Sequence, residues 1–233
     1  MAKVSVIVPV YGVEKYIERC ARSLFEQTLD DIEYIFVDDC TPDRSIDILR
    51  NVLADYPHRI PQTTLLHNEK NMGLGSTRKR GMTAATGEYM IHCDSDDWVE
   101  LGIYERMYEK AITSQADVVC CMFVKEYHDH KCIQDGYISS NPHESINASS
   151  SNYFMYLWNN LVRREIITQH NIVPEDGLNY GEDTYNMVRI YYYSNRIEYI
   201  DSPFYHYNLT NENQLTRSNR QFIQSQLITC TQL

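Results

Sequence analysis

Residues 89–98, Tyr89-Met-Ile-His-Cys-Asp94-Ser-Asp96-Asp97-Trp98, join a short apolar run to three carboxylates within four positions. The apolar run is typical of a buried strand, and the acids begin where that strand would end. Like charges gathered at one strand end lose hydration and repel one another, so folding alone gains nothing from them. A divalent cation, or a polar ligand carried by one, would make the cluster favourable. A solvated acidic turn explains the same residues equally well, because Asp and Ser are ordinary turn residues.

Two earlier segments also place polar or aromatic side chains directly after a buried strand. Residues 4–11 form a nearly continuous β-branched run that ends in Tyr11, and residues 33–39 form a second apolar run that ends in Asp38 and Asp39. Runs of this kind are typical of strands that are covered on both faces of a parallel sheet. Three separate strands therefore end in side chains that could contact a ligand.

Helical patterns lie between these strands. Amphipathic stripes and one further short strand occupy, in chain order, residues 14–27, 45–53, 63–67 (the strand) and 76–85. The alternation predicts an α/β fold with a mostly parallel central sheet flanked by helices. Ligands of such sheets bind beyond the carboxyl ends of the strands. Since chance acidic turns would not be biased toward that edge, a ligand site is favoured over a solvated turn.

The second half of the chain is less regular. Helical patterns at 101–115 and 181–193, strands at 117–124 and 197–200, and apolar patterning at 153–164 surround a polar stretch at 125–151. His128 and His130 could bind a metal, but nothing nearby completes a ligand set, so a polar hairpin or surface loop is favoured for them and for His143. Without a linker or repeat, we expect one domain over residues 1–233.

The composition excludes several classes of protein. A formal charge of −11 argues against a nucleic-acid partner, which requires clustered Lys and Arg. No apolar run approaches the length of a membrane span, and the N-terminus lacks the pattern of a signal peptide. Seven cysteines without CxxC spacing favour reduced thiols rather than a disulfide framework or a zinc site. We therefore expect a cytoplasmic protein.

A series of short motifs occurs in a fixed order along the chain. They are Val4-Ser-Val-Ile-Val-Pro-Val-Tyr11, Val37-Asp-Asp39, Asn71-Met-Gly-Leu-Gly75, Arg78, Ala85-Thr-Gly-Glu-Tyr89, Asp94-Ser-Asp-Asp97 and Gly181-Glu-Asp183. In order and spacing they resemble the family 2 glycosyltransferases, which have the GT-A fold and bind nucleotide sugars. The resemblance extends over most of the chain.

The resemblance implies a donor site at the strand ends. Its base and ribose side would be lined by the segment Pro9, Val10 and Tyr11, with the aromatic ring beside a uracil. Asp39, with Asp38 beside it, would accept hydrogen bonds from the base, which favours a UDP-sugar donor.

The resemblance also assigns roles to the acidic segment and to Arg78. Asp94 would approach the ribose, with Ser95 next to it. Asp96 would hold Mn²⁺ or Mg²⁺ across the diphosphate as in a DxD motif, and Asp97 would share or replace that role. Arg78 would contact the diphosphate or the base; an ordinary exposed helical arginine is the alternative for it.

The catalytic base implied by the resemblance lies far along the chain. It is Asp183, supported by Glu182, although acids are also favoured in the first turn of any helix by its dipole. The implied reaction is an inverting, metal-dependent transfer of a sugar to a glycan or lipid-linked acceptor hydroxyl, in polysaccharide biosynthesis. Residues 1–98 would form the nucleotide-binding half and residues 99–233 the acceptor-binding half.

The chain departs from the family pattern at several points. Cys40-Thr-Pro42 stands where Gly-Ser usually follows the second strand, Gly12 replaces a frequent asparagine, and Asn160 stands where lysine is frequent. The chain ends soon after Tyr207, whereas many relatives continue. A C-terminally shortened chain, with peripheral association at the inner membrane face through the missing residues, is therefore expected.

Two other functions remain open at this point. A nucleotidyltransferase would also use a nucleotide and paired aspartates, but it requires a Gly-rich, basic loop after the first strand, which residues 10–13 do not supply. A catalytically inactive nucleotide-sugar-binding module is the second alternative. The presence of Asp94, Asp96 and Asp183 argues against it.

Overall fold

The N-terminal half alternates strands and helices as the hydrophobic pattern predicts. The structure, a computed structural model, describes residues 2–134, 139–148, 155–175, 177–179 and 181–212. Its first elements are β1 (Val4–Val10), α1 (Ile17–Phe25), β2 (Ile32–Asp38), α2 (Ser45–Ala54), a 3₁₀ helix (Pro57–Gln62), β3 (Thr63–His67), α3 (Leu74–Ala84) and β4 (Tyr89–His92).

These four strands form the parallel part of the sheet, in the order β3-β2-β1-β4. Val10 lies beside Asp38, and Ile7 lies beside His92. The carboxyl ends of β2, β1 and β4 are therefore neighbours at one edge. Every residue of β1 is buried, as its continuous β-branched sequence predicts for a central strand.

The C-terminal half extends the same sheet with mixed pairing. It contains β5 (Trp98–Val99), α4 (Ile103–Ser114), β6 (Val118–Glu126), β7 (Lys131–Gln134), α5 (Pro142–Ala148), a 3₁₀ turn (Leu157–Asn159), β8 (Asn160–Arg163), α6 (Arg164–Gln169), α7 (Glu182–Tyr193) and β9 (Ile197–Asn208). The sheet continues β4-β8-β6-β9-β5, and β7 pairs with β6. Here β8 runs antiparallel to both β4 and β6, while β6 and β9 are parallel.

The α/β architecture with a central sheet between helices is confirmed. Parallel pairing is continuous in the N-terminal half, whereas antiparallel pairs interrupt it from β8 onward. The polar stretch does include a hairpin: β6 and β7 pair antiparallel, and His128 and His130 lie in the turn between them. The side chain of His143 lies outside the described residues.

The last strand is the largest departure from the sequence pattern. A strand was expected at 197–200, but β9 continues to Asn208. Its pairing with β6 shifts register twice, next to Cys121 and Met122, around Pro203 on β9. A bulge of this kind breaks the alternation of the side chains, so the later part of the strand is not visible as a regular pattern.

Hydrophobic side chains pack on both faces of the sheet. On one face Val6 and Val8 of β1 join Leu24 of α1 and Met107 of α4. On the other face Ile7 joins side chains of three further helices, among them Met82 of α3, Ile166 of α6 and Met187 of α7. The sheet is thus a central layer that fixes α3 and α7 on the same side.

Two further observations concern the described residues as a whole. None of their helices is long and apolar enough to cross a membrane. The six cysteines among them are free thiols, as the spacing predicted, and Cys230 lies outside the described residues.

Candidate functional site

The acidic segment after β4 is anchored from inside the protein. Asp97 is fully buried, and its two carboxylate oxygens accept hydrogen bonds from the Tyr205 hydroxyl (2.6 Å) and the Asn208 backbone N–H (2.7 Å). Burial, together with the nearby charges of Asp96 and Asp94, raises the pKa of Asp97 well above its ordinary value. Asp97 therefore supports the segment from below, while Asp94 and Asp96 are only half-buried.

The end of β9 orients the rest of this segment. The Tyr205 hydroxyl accepts a hydrogen bond from the Asp94 backbone N–H at 3.1 Å. The Asn208 amide donates to the Asp96 carbonyl (3.0 Å), and the Asn211 amide donates to the Asp96 carboxylate (2.8 Å). The sequence analysis missed Tyr205, Asn208 and Asn211. Only the alternating Tyr205-His-Tyr207 could have indicated that a strand continues there.

The acidic segment fits a hard divalent cation that is shared with a substrate. Among the described residues, no group of three or more His, Cys, Asp or Glu side chains converges as a complete metal site. Mg²⁺ is usually held by one or two carboxylates and by substrate phosphates rather than by an all-protein cage. The half-buried carboxylates Asp94 and Asp96 match that requirement. Asp97 matches it less well, because both of its oxygens face protein donors.

Arg78 links the acidic segment to the start of α7. It is 1% exposed, in contrast to an ordinary helical arginine. Its Nη2 donates to Asp94 Oδ1 (2.6 Å), and its Nη1 donates to Asp183 Oδ1 (2.6 Å) and to Glu182 Oε1. The carboxylates at 94, 182 and 183, which come from two distant parts of the sequence, therefore meet around one guanidinium group.

The environment of the pair Glu182-Asp183 favours protonation. Burial raises the pKa of Asp183 to about 8; the Arg78 charge opposes this shift, and Glu182 and Asp94 add to it. Burial also raises the pKa of Glu182. The Asp183 side chain nevertheless keeps 18% of its surface exposed, so a ligand can reach it. A carboxylate with a pKa near neutrality is suited to accept a proton.

Close backbone packing brings α7 against α3. Gly73 has a φ of 83°, and a Cβ atom there would overlap the Asn179 side chain. A Cβ atom at Gly75 would overlap the Leu178 carbonyl oxygen, and the Gly75 N–H donates to Asn179 Oδ1 at 3.2 Å. These glycines therefore let the segment before α7 cross the N-terminus of α3, which aligns Arg78 with Asp183.

The other two strand ends form the opposite side of the site. Pro9 and Val10 end the buried strand β1, and the Tyr11 side chain is 49% exposed beyond it. Asp38 is buried and accepts hydrogen bonds from the Thr41 N–H (2.8 Å) and from the His67 ring (2.7 Å). Tyr11 is therefore the accessible surface here, while Asp38 stabilises the turn beneath it.

Asp39 holds the loop before α3. Its Oδ1 accepts from the Asn68 amide and the Met72 N–H, each at 2.7 Å, and its Oδ2 accepts from the Gly73 N–H at 2.9 Å. A carboxylate offers about four acceptor positions, so one remains beside these three. The next residue, Cys40, has a φ of 56°, which explains why glycine is usual at this position.

Comparison with known proteins identifies the family. The family model described as glycosyl transferase family 2 matches residues 5–169. The chain belongs to glycosyl transferase family 2. Ser95, buried beside Asp94 and Asp96, and the other donor-side residues discussed above lie within the matched range, whereas Glu182 and Asp183 lie beyond it.

Bacterial members of family 2 are similar to this chain along most of its length. It is 34% identical over 221 residues to the uncharacterized glycosyltransferase EpsJ of Bacillus subtilis strain 168, which covers 91% of this chain and 62% of EpsJ. It is 33% identical over 118 residues to a poly(ribitol-phosphate) beta-glucosyltransferase of Bacillus spizizenii, covering 50% of this chain and 18% of that protein. The chain thus spans less than two thirds of either relative.

Solved structures of glycosyltransferases share the fold. S. aureus TarS 1-349 in complex with UDP-GlcNAc has a TM-score of 0.79 and 23% identity, covering 98% of this chain and 66% of that chain. The mannosyltransferase PcManGT from Pyrobaculum calidifontis, in complex with GDP-Man and Mn2+, has a TM-score of 0.67 and 17% identity, covering 91% and 58%. At these identities the likeness concerns the fold alone, and it confirms the GT-A architecture.

Proposed function

We propose that this glycosyltransferase moves a sugar from a UDP-sugar donor to a hydroxyl of a glycan or lipid-linked acceptor, with inversion and with metal assistance, in polysaccharide biosynthesis. The observation that carries the proposal is the meeting of Asp94, Glu182 and Asp183 around Arg78, next to the half-buried Asp96. It joins a donor-side acidic segment to a carboxylate with a raised pKa. Both kinds of group are needed for this reaction.

The donor would lie along the three strand ends. Tyr11 offers an exposed ring for stacking on the base, and the remaining acceptor position of Asp39 could receive the uracil N–H. Asp94 and Ser95 lie at the next strand end, where a ribose would follow the base. TarS in complex with UDP-GlcNAc, which has the same fold, supports a UDP-sugar as the donor class.

The diphosphate would lie at the acidic segment, where its charge requires neutralisation. Asp96, with Asp94 beside it, would hold Mn²⁺ or Mg²⁺, and the bound ion would act as a Lewis acid for the charge that develops on the leaving diphosphate. Asn211 and Asn208 keep Asp96 in place from β9 and the following turn. PcManGT, whose complex contains Mn2+, supports this cofactor class.

Asp183 would act as the general base. The acceptor hydroxyl must lose a proton as it attacks the anomeric carbon, and a base is most effective when its pKa lies near the working pH. A pKa of about 8 meets this condition, and Oδ1 is oriented by Arg78. Because a single displacement places the base opposite the leaving group, the product would have the inverted anomeric configuration.

The acceptor side is assigned more coarsely. We assign residues 1–98 to the nucleotide-binding half and residues 99–233, which supply Glu182 and Asp183, to the acceptor-binding half. The poly(ribitol-phosphate) beta-glucosyltransferase, whose name describes a polymeric acceptor, supports a hydroxyl on a polymer as the target.

Donor binding and transfer test the proposal in two steps. A panel of UDP-sugars, each with and without Mn²⁺, is first screened for thermal stabilisation of the protein, and the donor that stabilises it most is used for transfer or slow hydrolysis. Metal-dependent stabilisation by one UDP-sugar, with turnover that is lost in Asp183→Asn, is expected. Absence of stabilisation by every UDP-sugar, with or without metal, would exclude the proposed donor class.

A further inference from the structure

We propose that Arg78 is a positioning residue for the base Asp183 rather than a ligand of the donor, and that it sets the pH at which transfer begins. The inference rests on the proposed function. It concerns a single buried guanidinium group that joins α3, the end of β4 and the start of α7.

The hydrogen bonds of Arg78 are directed at protein carboxylates. Nη1 bonds to both Glu182 and Asp183, and Nη2 bonds to Asp94. The remaining donor, Nε, is buried and has no hydrogen-bond partner among the described residues. To reach a diphosphate, Arg78 would have to leave these carboxylates and a site in which it is 1% exposed. That exchange is unfavourable, because it strands buried charges.

The planar guanidinium group also fixes the direction of the base. Asp183 Oδ1 is engaged by Arg78 at 2.6 Å, which constrains the side-chain rotation of the carboxylate. The other oxygen is thereby oriented for an acceptor. An ammonium group at the same place is a single point charge and does not have the fork that spans two partners.

The charge of Arg78 has a second effect on Asp183. The groups that face this carboxylate are Arg78 from α3, Glu182 from α7, Asp94 from the end of β4, and the backbone N–H of Leu157. Arg78 and the Leu157 N–H lower the pKa of Asp183, while burial and the two carboxylates raise it. Removing the positive charge therefore leaves only the Leu157 N–H to oppose the upward shift. The base would then be protonated over a wider pH range.

The test compares Arg78→Gln and Arg78→Lys with wild type and with Arg50→Gln, an exposed arginine of α2. Transfer from the UDP-sugar is measured against pH, and the Kd of UDP with Mn²⁺ is measured by calorimetry. In Arg78→Gln the midpoint of the acidic limb is expected to rise by about one pH unit or more, since an opposite charge shifts a carboxyl pKa by about 1–3 units. Transfer near neutral pH then falls by about tenfold or more, while the Kd stays near that of wild type.

Arg78→Lys keeps the charge and is expected to show a smaller shift in the same direction, with partial recovery of transfer. It carries the test if Arg78→Gln does not fold. Arg50→Gln should match wild type in both measurements. A weakened Kd for UDP with Mn²⁺ and an unshifted acidic limb would make Arg78 a donor ligand and overturn the inference. If Asp183→Asn still transfers sugar, the proposed function itself fails; if it does not, an unshifted limb in both Arg78 variants refutes only the role of Arg78.

Discussion

Replacing Tyr205 with phenylalanine tests whether β9 holds the acidic segment in place. The hydroxyl donates to Asp97 Oδ2 at 2.6 Å and accepts from the Asp94 N–H at 3.1 Å. Burial and the neighbouring Asp97 raise the pKa of Tyr205 well above its ordinary value, so the hydroxyl keeps the proton that it donates. The phenylalanine ring would retain the stacking on Trp158, whose centroid lies 4.3 Å from that of Tyr205. The substitution thus removes two hydrogen bonds and little packing.

The expected magnitude follows from the groups that lose their partner. A buried polar group without a partner costs about 1–3 kcal/mol, and Tyr205→Phe affects one carboxylate oxygen and one N–H, so the free energy of unfolding should fall by about 3 kcal/mol. Support of metal-binding residues typically contributes about tenfold to a hundredfold in metal affinity. The Kd of UDP in the presence of Mn²⁺ should therefore weaken by about tenfold.

Urea denaturation and calorimetric titration of UDP with Mn²⁺ measure the two effects. Tyr108→Phe is the matched control, because its hydroxyl donates to Glu88 (2.9 Å) on a half-buried surface remote from the acidic segment. It should change stability by less than about 1 kcal/mol and leave the Kd unchanged. If Tyr205→Phe behaves like this control in both assays, β9 does not organise the site.

Two further predictions concern the carboxylates. Burial raises the pKa of Asp183 from 3.8 to about 8; the folded state then binds more protons than the unfolded state between these values, so the free energy of unfolding should fall as the pH rises from about 4 to about 8. Urea denaturation at pH 6 and pH 8 should show this loss and a smaller one in Asp183→Asn; an equal loss in both would contradict the assignment. Asp96→Ala should abolish the Mn²⁺-dependent part of UDP binding, and an unaltered calorimetric titration would show that the metal is held elsewhere.

The fold could be predicted from sequence wherever one periodicity persisted. The strand ends at Tyr11, Asp39 and Asp94 become neighbours because β2, β1 and β4 pair in parallel. The pattern failed at β9, where the register shifts of the bulge hide the strand that supplies Tyr205 and Asn208. Residues that act through a bulged strand carry no local signal of their role.

The candidate site was predictable as a set of residues but not as a network. Sequence order placed Arg78 after a Gly-rich loop, which suggested a contact with the donor. Its burial and its bonds to Asp94 and Asp183 arise from the packing of α7 over Gly73 and Gly75, and this long-range contact has no counterpart in local sequence. The roles of the individual carboxylates stay predictions that the variants above test.

The most direct test of the account is to measure donor binding and transfer on one preparation of Asp183→Asn. The account predicts that the Kd of UDP with Mn²⁺ stays within about threefold of wild type, since a neutral isostere preserves the shape of the site and Asp183 does not hold the donor. Transfer of the sugar should fall by at least about a hundredfold, the lower range for loss of a general base. Transfer at the wild-type rate, or a loss of donor binding as large as the loss of transfer, would contradict the central claim that Asp183 is the base of a glycosyl transfer.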